Sequence, residues 1–226
     1  MLKAKEIKKA YRRREILKGV DLEAGPGSCV GIVGSNGCGK TTLLSILAGA
    51  QKADGGSLLI DGEDLLGHPG KFYDFVAYVP QENPLIPELT VRDNLSLWYK
   101  GGRKKMEEDL EQGPAAMLGI KPMCPMVVSR LSGGMKKRLS LACALSNHAP
   151  YLIMDEPGAA LDLECKEAIR QYLKAYMQGG GTVLLTSHEL DELSLCSQIY
   201  VLRDGMLHEV EREQTAQSLI AQFHSK

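Results

Sequence analysis

Gly34-Ser35-Asn36-Gly37-Cys38-Gly39-Lys40-Thr41-Thr42 decides how this chain is read. It fits the spacing G-x-x-x-x-G-K-[ST]. Cys29-Val30-Gly31-Ile32-Val33 precedes it as an apolar run of strand length, and Leu43-Leu44-Ser45-Ile46-Leu47-Ala48 follows as a buried helical face. In that context, Gly34, Gly37 and Gly39 let the backbone approach an anion, so that Ser35, Asn36, Cys38 and Thr42 lie in a loop whose N–H groups converge on phosphates. Lys40 adds a point charge for the β- and γ-phosphates, and the Thr41 hydroxyl suits Mg²⁺. The site therefore implies a nucleoside triphosphate and Mg²⁺.

Outward from the loop, three further apolar runs end in polar residues. Phe75-Val76-Ala77-Tyr78-Val79-Pro80-Gln81 reads as a strand stopped by Pro80, leaving Gln81 at the strand edge where open α/β sheets bind ligands. Its amide can coordinate Mg²⁺ or orient a water. Tyr151 to Met154 reads as a strand ending in Asp155 and Glu156, adjacent carboxylates that strand alternation directs to different tasks: one in the Mg²⁺ shell beside Thr41, the other polarising the attacking water. Thr182 to Ser187 ends in His188, within reach of a γ-phosphate.

The segment between these runs differs in character. From 82 to 131, Thr90 marks a helix start through Tyr99, Gly101-Gly102 breaks it, a charged helix follows from Arg103, and prolines stand at 114, 122 and 125. This pattern predicts a small helical lobe inserted in the α/β core. Leu131-Ser132-Gly133-Gly134-Met135 then opens a helix with Ser132 as its cap. Two glycines disfavour a helix by about 1 kcal/mol each, so Ser132, Gly133 and Gly134 are read as a second anion site. A second helix should run from Leu163 to Met177 after the Gly158-Ala159-Ala160-Leu161-Asp162 turn, and the last strands, Gln198 to Arg203 and Met206 to Val210, form a hairpin.

Residues 2 to 33 read as strands with a turn at Ala24-Gly25-Pro26-Gly27, and Tyr11 is either an edge packing residue or an aromatic that stacks on a purine. The 226 residues suit a single domain spanning 1–226, with 211–226 as a polar tail. A net charge of -1 gives no reason to expect nucleic acid, and the basic run from Lys8 to Lys18 reads as a solvated edge. Six cysteines without CxxC spacing look like reduced cytoplasmic thiols, with Cys38 a candidate reactive one. No apolar run reaches a membrane span.

In their order, the phosphate loop, Gln81, Leu131 to Gly134, the Leu152 to Glu156 strand, Asp162 and His188 resemble the ATP-binding subunit of ABC-type transporters over nearly the whole chain. The resemblance implies an α/β fold: a P-loop NTPase core with a mostly parallel sheet, an N-terminal antiparallel β part and the helical lobe. It also implies a head-to-tail dimer, expected to be a homodimer, enclosing two ATP molecules. Ser132, Gly133 and Gly134 would contact the γ-phosphate held by the other copy's Lys40. Glu156 would be the general base, Asp155 the Mg²⁺ ligand, His188 the γ-phosphate sensor, Tyr11 the adenine-stacking aromatic and Asp162 an interface residue. The partner would be an integral membrane permease on a separate chain, holding this subunit at the cytoplasmic face. The expected direction is export, given a short chain lacking a C-terminal sensor domain. The alternative is a soluble ATPase of the same fold in assembly or repair. The chain departs from the family pattern in two places: Met135 replaces the usual glutamine, and the stretch Gly158-Ala159-Ala160 is unusually small.

Overall fold

The computed structural model describes residues 1–159, 161–211 and Ser218. In chain order its elements are β1 (Leu2–Tyr11), β2 (Arg14–Ala24), β3 (Cys29–Val33), α1 (Lys40–Leu47), β4 (Gly55–Ile60), β5 (Glu63–Asp64), α2 (Phe72–Phe75), β6 (Val76–Val79), α3 (Val91–Ser96), α4 (Gly102–Gln112) and α5 (Pro114–Met117). The order continues with α6 (Gly133–Ala144), β7 (Tyr151–Asp155), α7 (Leu163–Gln178), β8 (Thr182–Thr186), α8 (Leu190–Leu193), β9 (Gln198–Arg203) and β10 (Met206–Val210).

Two sheets result. One is antiparallel in the order β2-β1-β4-β5; the other has six strands in the order β10-β9-β3-β8-β7-β6 and is parallel except for the terminal β9–β10 hairpin. Every residue of β3, β7 and β8 is buried. Continuous apolar strands of this kind are expected where a parallel sheet is covered on both faces. One covering layer joins α1 and the antiparallel sheet through Ile7, Val20, Leu43, Ile46 and Leu58. The opposite layer draws on the inserted helices, α6 and α7, with Leu95, Leu110, Leu139, Ile169 and Leu173 in one continuous core.

The consequence for function lies at one sheet edge. Because β3, β6, β7 and β8 run parallel, the residues that follow them, Gly34, Pro80-Gln81, Glu156 and Ser187-His188, emerge along the same side. The Asp155–Thr186 register aligns the ends of β7 and β8.

Local chemistry accounts for the helices. Thr90 and Asp162 accept backbone N–H bonds from Asp93 and Cys165, capping α3 and α7. The stripe Cys165, Ile169, Tyr172 and Leu173 is buried at helical spacing, which fixes the face α7 turns to the sheet.

Two boundaries differ from expectation. The strand expected from Phe75 begins at Val76, because Phe72–Phe75 forms a helical turn that buries Phe72 over Gly49. The helix expected through Tyr99 stops at Ser96. The Trp98 carbonyl instead accepts from Tyr73 Oη at 2.9 Å and Ser146 Oγ at 3.0 Å, which a continuing helical ladder would not permit. The expected tail, 211–226, lies outside the described residues apart from Glu211 and Ser218. Among the described residues, no helix is long and apolar enough to cross a membrane.

Candidate functional site

A cleft of about 490 Å³ opens at this sheet edge, lined by Tyr11, Ile16, Asn36, Gly37, Gly39, Lys40, Thr41, Thr42, Gln81, Glu156 and His188. Residues far apart in sequence are thus brought together. Another hollow, whose lining includes Gly49, Asp54 and Phe72, has none of this chemistry, so the cleft is identified by its residues.

The loop is built for an anion. Gly39, at φ 113, precedes α1 without a side-chain cap, so the first N–H groups of the helix keep their donors for a ligand. A Cβ on Gly39 would lie 2.6 Å from Ile16 Cγ2, so the loop must be bare there. Lys40 is 7% exposed, and its Nζ donates to the carbonyls of Gly34 at 2.8 Å and Ser35 at 3.3 Å. An ammonium has three donors, which leaves one for a phosphate. Cys38 does not fit a reactive role: burial pushes its thiol up, and the nearby Lys40 only partly opposes this. A thiol kept protonated is a poor nucleophile.

Glu156 occupies the centre of the cleft. It directly follows β7, takes a left-handed conformation with φ 47, and its N–H bonds Thr186 O at 3.2 Å and Thr186 Oγ1 at 3.0 Å. A non-glycine residue in this region costs about 1–2 kcal/mol, offset here by those bonds. The turn lets its carboxylate meet two partners: Gln81 Nε2 donates to Oε2 at 3.0 Å, and His188 Nε2 stands 3.4 Å from Oε1. The ends of β6, β7 and β8 therefore converge on one carboxylate.

Asp155 is separated from Glu156 as strand alternation requires. It is 1% exposed and does not line the cleft. Thr186 Oγ1 donates to its Oδ1 at 2.5 Å, while Oδ2 is buried without a hydrogen-bond partner among the described residues. A buried carboxylate oxygen left unmatched suits a hydrated cation, so Asp155, with the Thr41 hydroxyl and Gln81 in the cleft, fits Mg²⁺. Sequence reasoning missed Thr186, which holds both acids. Its signal was a hydroxyl at the end of the apolar run Val183-Leu184-Leu185.

Ser132, Gly133 and Gly134 stand apart from the cleft. Ser132 caps α6, its Oγ accepting from Met135 N at 3.2 Å, and both Ser132 and Gly133 are exposed. The pair of glycines has two explanations rather than one. A Cβ on Gly133 would meet nothing within 4 Å, in keeping with an open anion-contacting tip. On Gly134 it would lie 3.1 Å from both Cβ and Sγ of Cys165, so this glycine admits α7. Asp162 is the cap of α7, with Cys165 N donating to its Oδ1 at 2.8 Å. The Met135 side chain packs on the core, and its N–H is already taken by Ser132 Oγ. Tyr11, 48% exposed, ends β1 at the rim with its hydroxyl bonded to Gln51 and the Lys9 ammonium 5.8 Å from its ring centroid.

Known proteins share this fold. The ABC transporter family profile matches residues 17–159. The chain is 35% identical over 203 residues to Nod factor export ATP-binding protein I of Paraburkholderia xenovorans (strain LB400), covering 88% of this chain and 67% of the relative. It is 33% identical over 213 residues to Linearmycin resistance ATP-binding protein LnrL of Bacillus subtilis (strain 168), covering 91% and 67%. It is 37% identical over 215 residues to Spermidine/putrescine import ATP-binding protein PotA of Spiroplasma citri, covering 93% and 61%. The chain spans about two thirds of the length of these relatives. Its fold matches a dimeric ATP-binding cassette in a post-hydrolysis state bound to ADP and Pi, with TM-score 0.82, 29% identity and coverage of 95% and 100%. The chain belongs to the ABC transporter family, as one of its ATP-hydrolysing nucleotide-binding domains.

The two glycines should part company on substitution. Gly133→Ala is expected to leave the unfolding midpoint in urea unchanged, whereas Gly134→Ala, overpacked against Cys165, should cost about 1–3 kcal/mol. Equal destabilisation by both would contradict this assignment.

Proposed function

We propose that this chain closes head to tail with a second copy of itself around two Mg-ATP molecules and so drives an integral membrane permease carried on a separate chain. The carrying observation is geometric: the cleft unites the phosphate loop with Gln81, Glu156 and His188, while Ser132 and Gly133 are exposed outside it. A second donor-rich helix tip that does not face its own phosphate loop suits a triphosphate held by another copy.

In this reading Tyr11 stacks on adenine. The N–H groups of residues 34–42 and the Lys40 ammonium hold the β- and γ-phosphates. Thr41, Asp155 and Gln81 hold Mg²⁺, which when bound neutralises charge on the phosphate oxygens. Glu156 takes a proton from the attacking water, oriented by Gln81. His188, already beside Glu156, contacts the γ-phosphate. Ser132, Gly133 and Gly134 of one copy meet the γ-phosphate in the other, and Asp162 lies along that interface. The triphosphate then favours the closed pair, and its hydrolysis removes the differential affinity.

The domain runs through residues 1–226, with 82–131 as its inserted helical lobe and the surface that meets the permease. Such a partner holds the chain at the cytoplasmic side of the membrane. Export is the proposed direction, supported by the export and resistance proteins among its relatives; the import relative marks the competing direction.

Two experiments test this. Glu156→Gln should retain Mg-ATP binding, lose about 10²-fold or more of its turnover, and accumulate as an ATP-bound dimer in size-exclusion chromatography. Wild-type turnover in that variant would remove Glu156 from the role of base. Affinity purification of the tagged chain from a detergent extract should recover an integral membrane protein; ribosomes or a soluble scaffold in its place would favour an assembly or repair ATPase.

A further inference from the structure

Lys137 lies on α6, five residues beyond Ser132, and takes no part in the phosphate contacts described above. It is 5% exposed, and its Nζ donates to the Pro80 carbonyl at 3.0 Å. Burial works against its charged form, while the carboxylates of Asp155, Glu192 and Glu156 act to keep the proton on. A buried ammonium is costly unless it is paired and hydrogen-bonded. Leu139 and Leu141 on the same helix show that an apolar side chain is readily buried there. A cationic donor at this position therefore does something that packing alone does not require.

What it grips is informative. Pro80 immediately precedes Gln81, and the peptide unit joining them is rigid and planar. Holding the Pro80 carbonyl therefore fixes the plane from which the Gln81 backbone departs, and Gln81 in turn donates to Glu156. The negative charge beneath this point is also substantial. Glu192 is pushed up by burial, accepts from Ser187 Oγ, and fills the space that a Cβ on Gly158 would need. This explains the bare glycine in the loop after Glu156. The Lys137 charge is matched to this group of acids.

We infer that Lys137 is a positioning residue for hydrolysis: it fastens the helix bearing Ser132 to the peptide unit that aims Gln81 at Glu156. One buried hydrogen bond thereby joins the helix that carries the Ser132 tip to the Gln81 edge of the cleft. This rests on the proposed roles of Gln81, Glu156 and Ser132, and it adds a mechanical link between the two halves of the chain's own machinery.

The test compares Lys137→Met, which keeps the stem but loses the donor and charge, with Lys137→Arg, which keeps both. Lys137→Met should lower kcat about 10- to 100-fold while KM for ATP and monomer ATP affinity stay within about 2-fold. Lys137→Arg should recover at least about half of wild-type kcat. If Lys137→Met does not yield soluble protein, Lys137→Ala, lacking both donor and charge, takes its place with the same expected split. Wild-type kcat in the neutral variant overturns the inference. So does equal loss in the Met and Arg variants accompanied by a matching fall in Tm, which marks a packing role. Glu156→Gln run alongside keeps the two claims separate: normal turnover in Lys137→Met beside a dead Glu156→Gln removes the lysine's role alone, whereas an active Glu156→Gln removes the base assignment itself.

Discussion

The parallel alignment of β3, β6, β7 and β8 is the constraint on which this site depends. Each strand is short and apolar, and each delivers one polar element to the same edge: the phosphate loop, Gln81, the Asp155–Glu156 pair and His188. A sheet in which one of these strands ran the other way would carry its polar end to the opposite side. The Glu156 carboxylate, reached by Gln81 from β6 and His188 from β8, is the point at which the alignment becomes chemistry. Its left-handed backbone shows the local strain that such convergence requires.

The site is stabilised by dividing negative charge among different environments. Asp155 is buried with one oxygen bonded to Thr186 and the other unmatched among the described residues, a state suited to a cation. Glu156 faces the cleft. Glu192 is buried beside Gly158, and Lys137 faces the group from the core side. Nearby Lys166 bonds Glu189 at 2.7 and 2.8 Å and adds a paired charge at the surface. In a low-dielectric setting, acids this close require compensating charge, and the chain supplies lysines for it on two sides.

Much of this was legible in the sequence because the polar residues terminate apolar runs. A glutamine, glutamate or histidine at the end of a buried strand stands out against its neighbours, and the phosphate loop has a spacing that few other structures need. The strand order was not legible: β3 lies between β9 and β8, so neighbours in space are distant in sequence. Only that order reveals that Gln81 and His188 share one carboxylate. The packing demand on Gly134 was not legible, because its neighbour Cys165 lies 31 residues away on another helix. Cys38 was judged by its motif, whereas burial sets its thiol chemistry. Lys137 escaped notice within a run of cations, although its spacing from Gly134 and Leu141 places it on the buried stripe of α6.

The central claim is that each triphosphate is gripped by one copy's loop and the other copy's Ser132 tip. Mixing two individually inactive variants tests this most directly. Lys40→Ala keeps the tip and loses the cradle, whereas Ser132→Arg keeps the cradle and blocks the tip. Differently tagged forms of the two, purified together as a mixed dimer, contain one complete site, so ATP hydrolysis should return although each variant alone is dead. A co-purified mixed dimer as inactive as its parents would contradict the account.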